Sequence, residues 1–119
     1  MGELGIWRRP AHSHLRTEAD MISRQWRGLA HPNRAQDYVE HLRSETFPAL
    51  RKIPGFVDAS ILSRPFGAGV EFVVATRWDS MDALAKFAGR DPEAAVVPAN
   101  AAAMMIEYDR RARHYEIIE

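Results

Sequence analysis

The sequence predicts an α+β fold: a ferredoxin-like antiparallel sheet in the order β-α-β-β-α-β, with its helices on one face. Three observations carry the prediction. Residues 70–89, VEFVVATRWDSMDALAKFAG, run from a strand pattern straight into a helix pattern, with Trp78, Asp79 and Ser80 at the junction. The turn signals Pro54-Gly55 and Pro65 to Gly69 bracket a second strand and join it to this one as a hairpin. Upstream, Ala35, Tyr38, Val39 and Leu42 repeat at helical spacing.

The elements follow in order. Residues 21–29, MISRQWRGL, form the first strand, where alternation puts Ile22, Arg24 and Trp26 on one face and Ser23, Gln25 and Arg27 on the other. Pro32 and Asn33 end it, and Asn33 with Gln36 three residues on has the capping-box spacing. The first helix runs from about Arg34 to Glu45 and on toward Leu50, with a bend or break at Pro48. The second strand covers about Phe56 to Arg64. In the third, Val70, Phe72, Val74 and Trp78 share one face and Val73 and Ala75 the other. Ser80 or Asp79 caps the second helix, whose stripe is Met81, Leu84, Ala85 and Ala88, and Gly89 ends it. Asp91-Pro92 opens another short helical piece. Residues 99–108 fit helix or strand, and His114 to Ile118 alternate as a last strand.

A strand that is apolar on both faces needs two covers. Helices supply one. A second copy of the chain supplies the other, so a homodimer packing sheet against sheet is expected. The chain has 119 residues, enough for one domain over 21–119. Residues 1–20 lack both periodicity and an apolar stretch, and read as a flexible arm rather than a signal peptide; Met21 is a candidate natural start. On such an arm the His12/His14 pair is incidental, not a metal site, and Trp7 is weak evidence of a contact. Sixteen basic and sixteen acidic residues balance, which argues against nucleic acid or an anionic membrane as partner. With no cysteine there is no disulfide, thiol nucleophile or iron–sulfur site, which fits a reducing cytoplasm. No apolar run is long enough to cross a bilayer.

The segments M-I-x-R-x-W-R-G at 21–28, I-P-G-F at 53–56, W-D-S at 78–80, F-A-G at 87–89 and H-Y-E at 114–116 resemble the antibiotic biosynthesis monooxygenase-like family of the dimeric α+β barrel superfamily. The resemblance spans residues 21–119 and implies fold more strongly than activity. Its monooxygenases oxidise electron-rich phenols with oxygen after deprotonation, with no metal or flavin. The protein then has to exclude water, orient a ring and stabilise an anion. The haem-degrading relatives use an Asn on the first strand, a Trp on the second helix and a His just beyond it. Those positions fall here at Trp26, Phe87 and Val96 or Val97, so haem degradation is not expected.

If the first-strand face lines the barrel interior, as that lineup implies, Arg24 is placed to hold a phenolate or carboxylate. The competing reading is an interface ion pair. Trp26, Phe72, Trp78 and Phe87 are then walls for a small hydrophobic or aromatic ligand, or simply core. His114 is a candidate general base or a structural hydrogen-bond partner. His41 and Glu45, four apart on the first helix, read as a solvated pair. Met104 and Met105 read as core filler. The expectation is a cofactor-independent monooxygenase-like protein acting on a small aromatic or polyketide-like substrate, against two alternatives: a non-catalytic small-ligand-binding or stress-related dimer, and a purely structural dimer.

Overall fold

The computed structural model describes residues 21–119. The expected arm, with Trp7, His12 and His14, lies outside the described residues. Five strands form one antiparallel sheet: β1 (Ile22–Ala30), β2 (Phe56–Phe66), β3 (Gly69–Trp78), β4 (Met105–Tyr108) and β5 (Arg113–Glu116). β1 is central. It pairs with β3 along its whole length, with β4 at its C-terminal end and with β5 at its N-terminal end; β2 lies outside β3. The helices are α1 (Ala35–His41), α2 (Phe47–Leu50), α3 (Met81–Ala88) and α4 (Ala99–Ala102).

The expected α+β, ferredoxin-like arrangement is thus present, with differences that have local causes. Residues 99–108 are both things in turn: helix α4, then strand β4. The first helix does reach Leu50, and the disturbance expected at Pro48 falls in the turn before it. A proline removes one helical N–H and crowds the carbonyl four residues back. A π-helical turn, Leu42–Thr46, precedes it, in which Phe47 N–H bonds to Leu42 C=O, and helix resumes in α2. Asn33 caps nothing; it lies inside a 3-10 turn, Pro32–Arg34, with proline in its first turn. Asp91-Pro92 opens a hydrogen-bonded turn rather than a helix, with Ala94 N–H on Asp91 C=O and Glu93 N–H on the Asp91 carboxylate. β2 runs two residues further than expected, through Pro65, which an edge strand tolerates. The hairpin turn is then Gly67-Ala68 alone, with only Gly67 at positive φ (57°).

The core lies between the helices and one face of the sheet. Register sets Trp26 opposite Val74, Arg24 opposite Thr76 and Ile22 opposite Trp78 across β1 and β3, and Arg24 opposite His114 across β1 and β5. All of these face the helices. Tyr38 and Leu42 pack down from the first helix, and Leu84 from α3. The N-terminus of α3 is fixed by Ser80, whose Oγ accepts from Ala83 N–H (3.1 Å). Among the described residues no helix covers the opposite face. It carries Val73 and Ala75, both half-buried, exposed Leu62 and Tyr115, and an ion-paired group of Arg27, Glu71 and Arg64.

Candidate functional site

Between the sheet and the helices is a cavity with about 70 Å³ of space open to the centres of water molecules. β1 contributes Arg24 and Trp26, and β3 contributes Val74 and Thr76. The first helix closes one side with Tyr38, His41, Leu42, Thr46, Phe47 and Leu50; Phe87 of α3 and residues 96–98 close the other.

Arg24 is 5% exposed. Nη1 donates to Pro92 C=O (2.5 Å) and contacts His114 Nε2 (3.0 Å), and Nη2 donates to Ala94 C=O (2.9 Å). The guanidinium lies over the Phe87 ring at 5.4 Å. Among the described residues no carboxylate pairs with it. A buried cation without a counter-charge is costly, and burial lowers its pKa from the ordinary value. A guanidinium carries five N–H donors. The three contacts leave Nε–H and one Nη2–H with no partner among the described residues. Both can donate to an anionic oxygen, and hydrogen bonds from an ionised donor are the strong ones.

His114 does not line the cavity. It sits behind Arg24, and because Arg24 can only donate, the His114 Nε2 facing it must accept. Burial first, and the positive charge of Arg24 second, hold its pKa below 6.5, against the opposing pull of Glu93 and the Pro92 carbonyl. This places His114 as a neutral support for Arg24 rather than at a substrate.

The aromatic residues divide in the same way. Trp26 lines the cavity, pinned by Nε1–H to Asp109 C=O (2.8 Å) and flanked by Tyr38 and Tyr108, with ring centroids 6.2 and 6.1 Å away. Phe87 also lines it. Trp78, fully buried, stacks behind Phe87 (5.9 Å, 20°) and donates Nε1–H to Thr76 Oγ1 (2.9 Å). Phe72 is buried beneath Tyr38 at 5.2 Å. Trp78 and Phe72 therefore back the walls, because the layer of Phe87, Thr76 and Tyr38 lies between them and the space. The three positions equated with the haem-degrading residues do converge: Trp26, Phe87 and Val96 with Val97 all line this cavity.

Tyr38 and His41 also line the cavity, and the sequence reading gave neither a role in the site. Tyr38 is buried, and burial pushes its hydroxyl well above the usual tyrosine range, so it stays protonated. His41, expected to be solvated beside Glu45, is instead 7% exposed. Its Nε2 lies 3.3 Å from Thr46 Oγ1, and its Nδ1 is buried with no hydrogen-bond partner. Glu45 stays outside, its carboxylate 3.7 Å from Nδ1. The signal was present: residues 38, 41 and 42 share one helical stripe, so His41 belongs with Tyr38 and Leu42 on the inner face.

The arrangement can hold a flat ring between aromatic walls, fix an anionic group on Arg24 and offer a histidine nitrogen to a proton. No group of three or more acidic or histidine side chains that could hold a metal occurs among the described residues.

No protein-family model matches the chain, and no curated protein is significantly similar to it. Solved structures are similar in fold. A protein from Caulobacter crescentus provisionally named an antibiotic biosynthesis monooxygenase superposes with a TM-score of 0.63 at 18% identity, over 92% of this chain and 100% of that one. A Bacillus cereus protein of the same provisional name gives 0.59 at 21%, over 83% and 94%. SnoaB of Streptomyces nogalater, a cofactor-independent oxygenase, gives 0.58 at 16%, over 84% and 95%. The resemblance read in the sequence is thereby shown at the level of the fold.

Proposed function

We propose that this chain is a cofactor-independent monooxygenase-like protein acting on a small aromatic substrate that presents a phenolate or carboxylate. The observation that carries the reading is Arg24: a buried guanidinium with two N–H donors that have no partner among the described residues, in a cavity walled by Trp26, Tyr38 and Phe87. An aromatic anion would supply the missing counter-charge and fill the apolar space. The likeness in fold to SnoaB, a cofactor-independent oxygenase, supports the same class.

The chemistry asks little of the protein. An activated ring methylene, made electron-rich by an ionised neighbouring hydroxyl, gives up both C–H hydrogens. It becomes a carbonyl with one oxygen atom of O2 while the other leaves as water. The substrate supplies all the electrons. The protein contributes a dry site, a held ring and a stabilised anion. Size narrows the choice of substrate. A single water needs about 10–15 Å³ of such space, so 70 Å³ is room for a handful of waters or one small ring. A polyketide-like substrate of several fused rings needs the helix side to move outward.

The test is oxygen uptake with a panel of one-ring and fused-ring hydroxyaromatics, on wild type and Arg24→Leu. Turnover that falls at least about tenfold in a folded variant, worth about 1.4 kcal/mol of transition-state stabilisation, supports the reading. Aromatic binding without oxygen uptake moves the chain to the binding-only alternative. A variant that unfolds makes Arg24 a structural clamp for residues 92–94.

We further propose that the functional form is a homodimer with the two bare sheet faces together. Leu62 (56% exposed), Tyr115, Val73 and Ala75 on that face supply apolar surface for it.

A further inference from the structure

An aromatic hydroxyl that binds Arg24 as an anion has to leave its proton on a base. We propose that His41 is that base, and that Thr46 and Glu45 complete a relay from the cavity to the surface. This rests on the reading of Arg24 as an anion site.

The two other candidates are committed elsewhere. His114 has its Nε2 facing Arg24, and Tyr38 is a buried hydroxyl that holds its proton. His41 is more than nine-tenths buried, lines the cavity and keeps one ring nitrogen without a partner. That atom is Nδ1, and a buried polar atom left unpaired is costly, so a use for it is expected. The residues around it form a chain: Thr46 Oγ1 at 3.3 Å from Nε2 inside the cavity, and Glu45 at 3.7 Å from Nδ1 on the outside. The Glu45 side chain is 63% exposed and free to close the remaining gap to a hydrogen bond.

The π turn makes this geometry. In an α-helix, residues five apart point about 140° away from each other. Widening the turn at Leu42–Thr46 brings Thr46 round toward the face of His41. The groups beside His41 are Tyr38, Thr46 and Glu45 on its own helix; the sheet contributes Arg24 and Thr76 to the same cavity, and residues 96–98 contribute only apolar side chains.

The step balances as follows. The substrate O–H bond breaks, its electron pair stays on oxygen as the phenolate beside Arg24, and the proton passes to the lone pair of His41 Nε2, directly or through the Thr46 hydroxyl. The imidazolium then directs Nδ1–H at the exposed Glu45 carboxylate, which balances its charge while the phenolate stays bound.

The probe is 4-nitrophenol, whose anion absorbs visible light. In wild type the bound probe should be ionised over the pH unit below its own ionisation, and the ionised fraction should stay flat with pH, because the proton stays inside the complex. In His41→Gln the anion should still bind at high pH within about threefold, since Arg24 is intact. Below the probe's ionisation the coloured fraction should fall about tenfold per pH unit. Glu45→Gln, an exposed change that leaves the core untouched, should lower it about threefold. If His41→Gln does not fold, histidine NMR on wild type decides: saturating probe should move the His41 Cε1 resonance to its imidazolium position, and an unmoved resonance overturns the proposal. His41→Gln that matches wild type at every pH also overturns it, while Arg24 keeps its role. Failure of wild type to bind the anion at any pH removes the Arg24 reading and the relay with it.

Discussion

Replacing Gly28 by alanine should damage the cavity from behind. Gly28 follows Trp26 on the inner face of β1, and the Trp26 ring lies across the space a side chain would occupy. An added Cβ would meet Trp26 Cη2 at 2.5 Å, Trp26 Cζ3 at 2.9 Å and Met105 Sδ at 3.0 Å, where ordinary contact begins at 3.4 Å. The ring must retreat by about 1 Å in a close-packed interior. It cannot do so freely, because Nε1–H is held by Asp109 C=O at 2.8 Å. Overpacking of this kind costs about 1–3 kcal/mol. Alanine recovers about 0.5–1 kcal/mol of the entropy that glycine loses in a strand. The net is destabilisation of roughly 1 kcal/mol, a fall in Tm of about 4–8 °C for a domain near this size. The displaced ring also enters a cavity of only about 70 Å³, so affinity for a one-ring aromatic acid should drop as well. Differential scanning calorimetry and a benzoate titration measure the two effects. An unchanged Tm with unchanged affinity would show that the Trp26 ring is not a fixed wall, and the cavity argument would fail with it.

Three further outcomes are expected. His114 has a folded-state pKa below its ordinary 6.5, so the unfolded chain binds more protons between those two values; the stabilisation is complete above 6.5 and is lost as pH falls through the folded value. Urea titrations across that window should show stability declining toward acid, and His114→Gln, which keeps an acceptor for Arg24, should flatten the decline. Light scattering at micromolar concentration should find a dimer, with an interface well above about 1,500 Å²; a stable monomer would leave the bare sheet face unexplained. Haem with reductant should keep its Soret band, since Trp26, Phe87 and Val96 with Val97 occupy the positions where ring-opening relatives carry Asn, Trp and His; catalytic bleaching would show that the lineup misleads.

The sheet and its inner face were legible because two periodicities coincided. Alternation put Ile22, Arg24 and Trp26 on one face of β1, and the same rule on β3 put Phe72, Val74 and Trp78 on the matching face, where the register confirms them as neighbours. What alternation could not give is depth. Trp78 and Phe87 are close in sequence and stacked in space, yet Phe87 borders the cavity and Trp78 is sealed behind it. Which of two stacked rings meets the void depends on where α3 sits, and no local pattern encodes that. Arg24 was singled out for its face, but its support by Pro92, Ala94 and His114 comes from a loop and a strand about seventy to ninety residues away. His41 was misread because its spacing to Glu45 invites a surface pair; the stripe it shares with Tyr38 and Leu42 was the better guide. The π turn was missed for a simpler reason. Pro48 announces a disturbance in the helix, but whether the chain answers by breaking or by widening one turn is settled by packing: Leu42, Phe47 and Leu50 are all buried.

If Arg24 is an anion site, the cavity selects an aromatic anion over its neutral counterpart. Calorimetric affinities of benzoate and its neutral counterpart benzamide, for wild type and for Arg24→Leu, test it most directly, since the two ligands differ in little but charge. Wild type should prefer benzoate by at least about tenfold, or about 1.4 kcal/mol, and Arg24→Leu should bind both alike. Equal affinities in wild type, or a preference that survives the loss of Arg24, would contradict it.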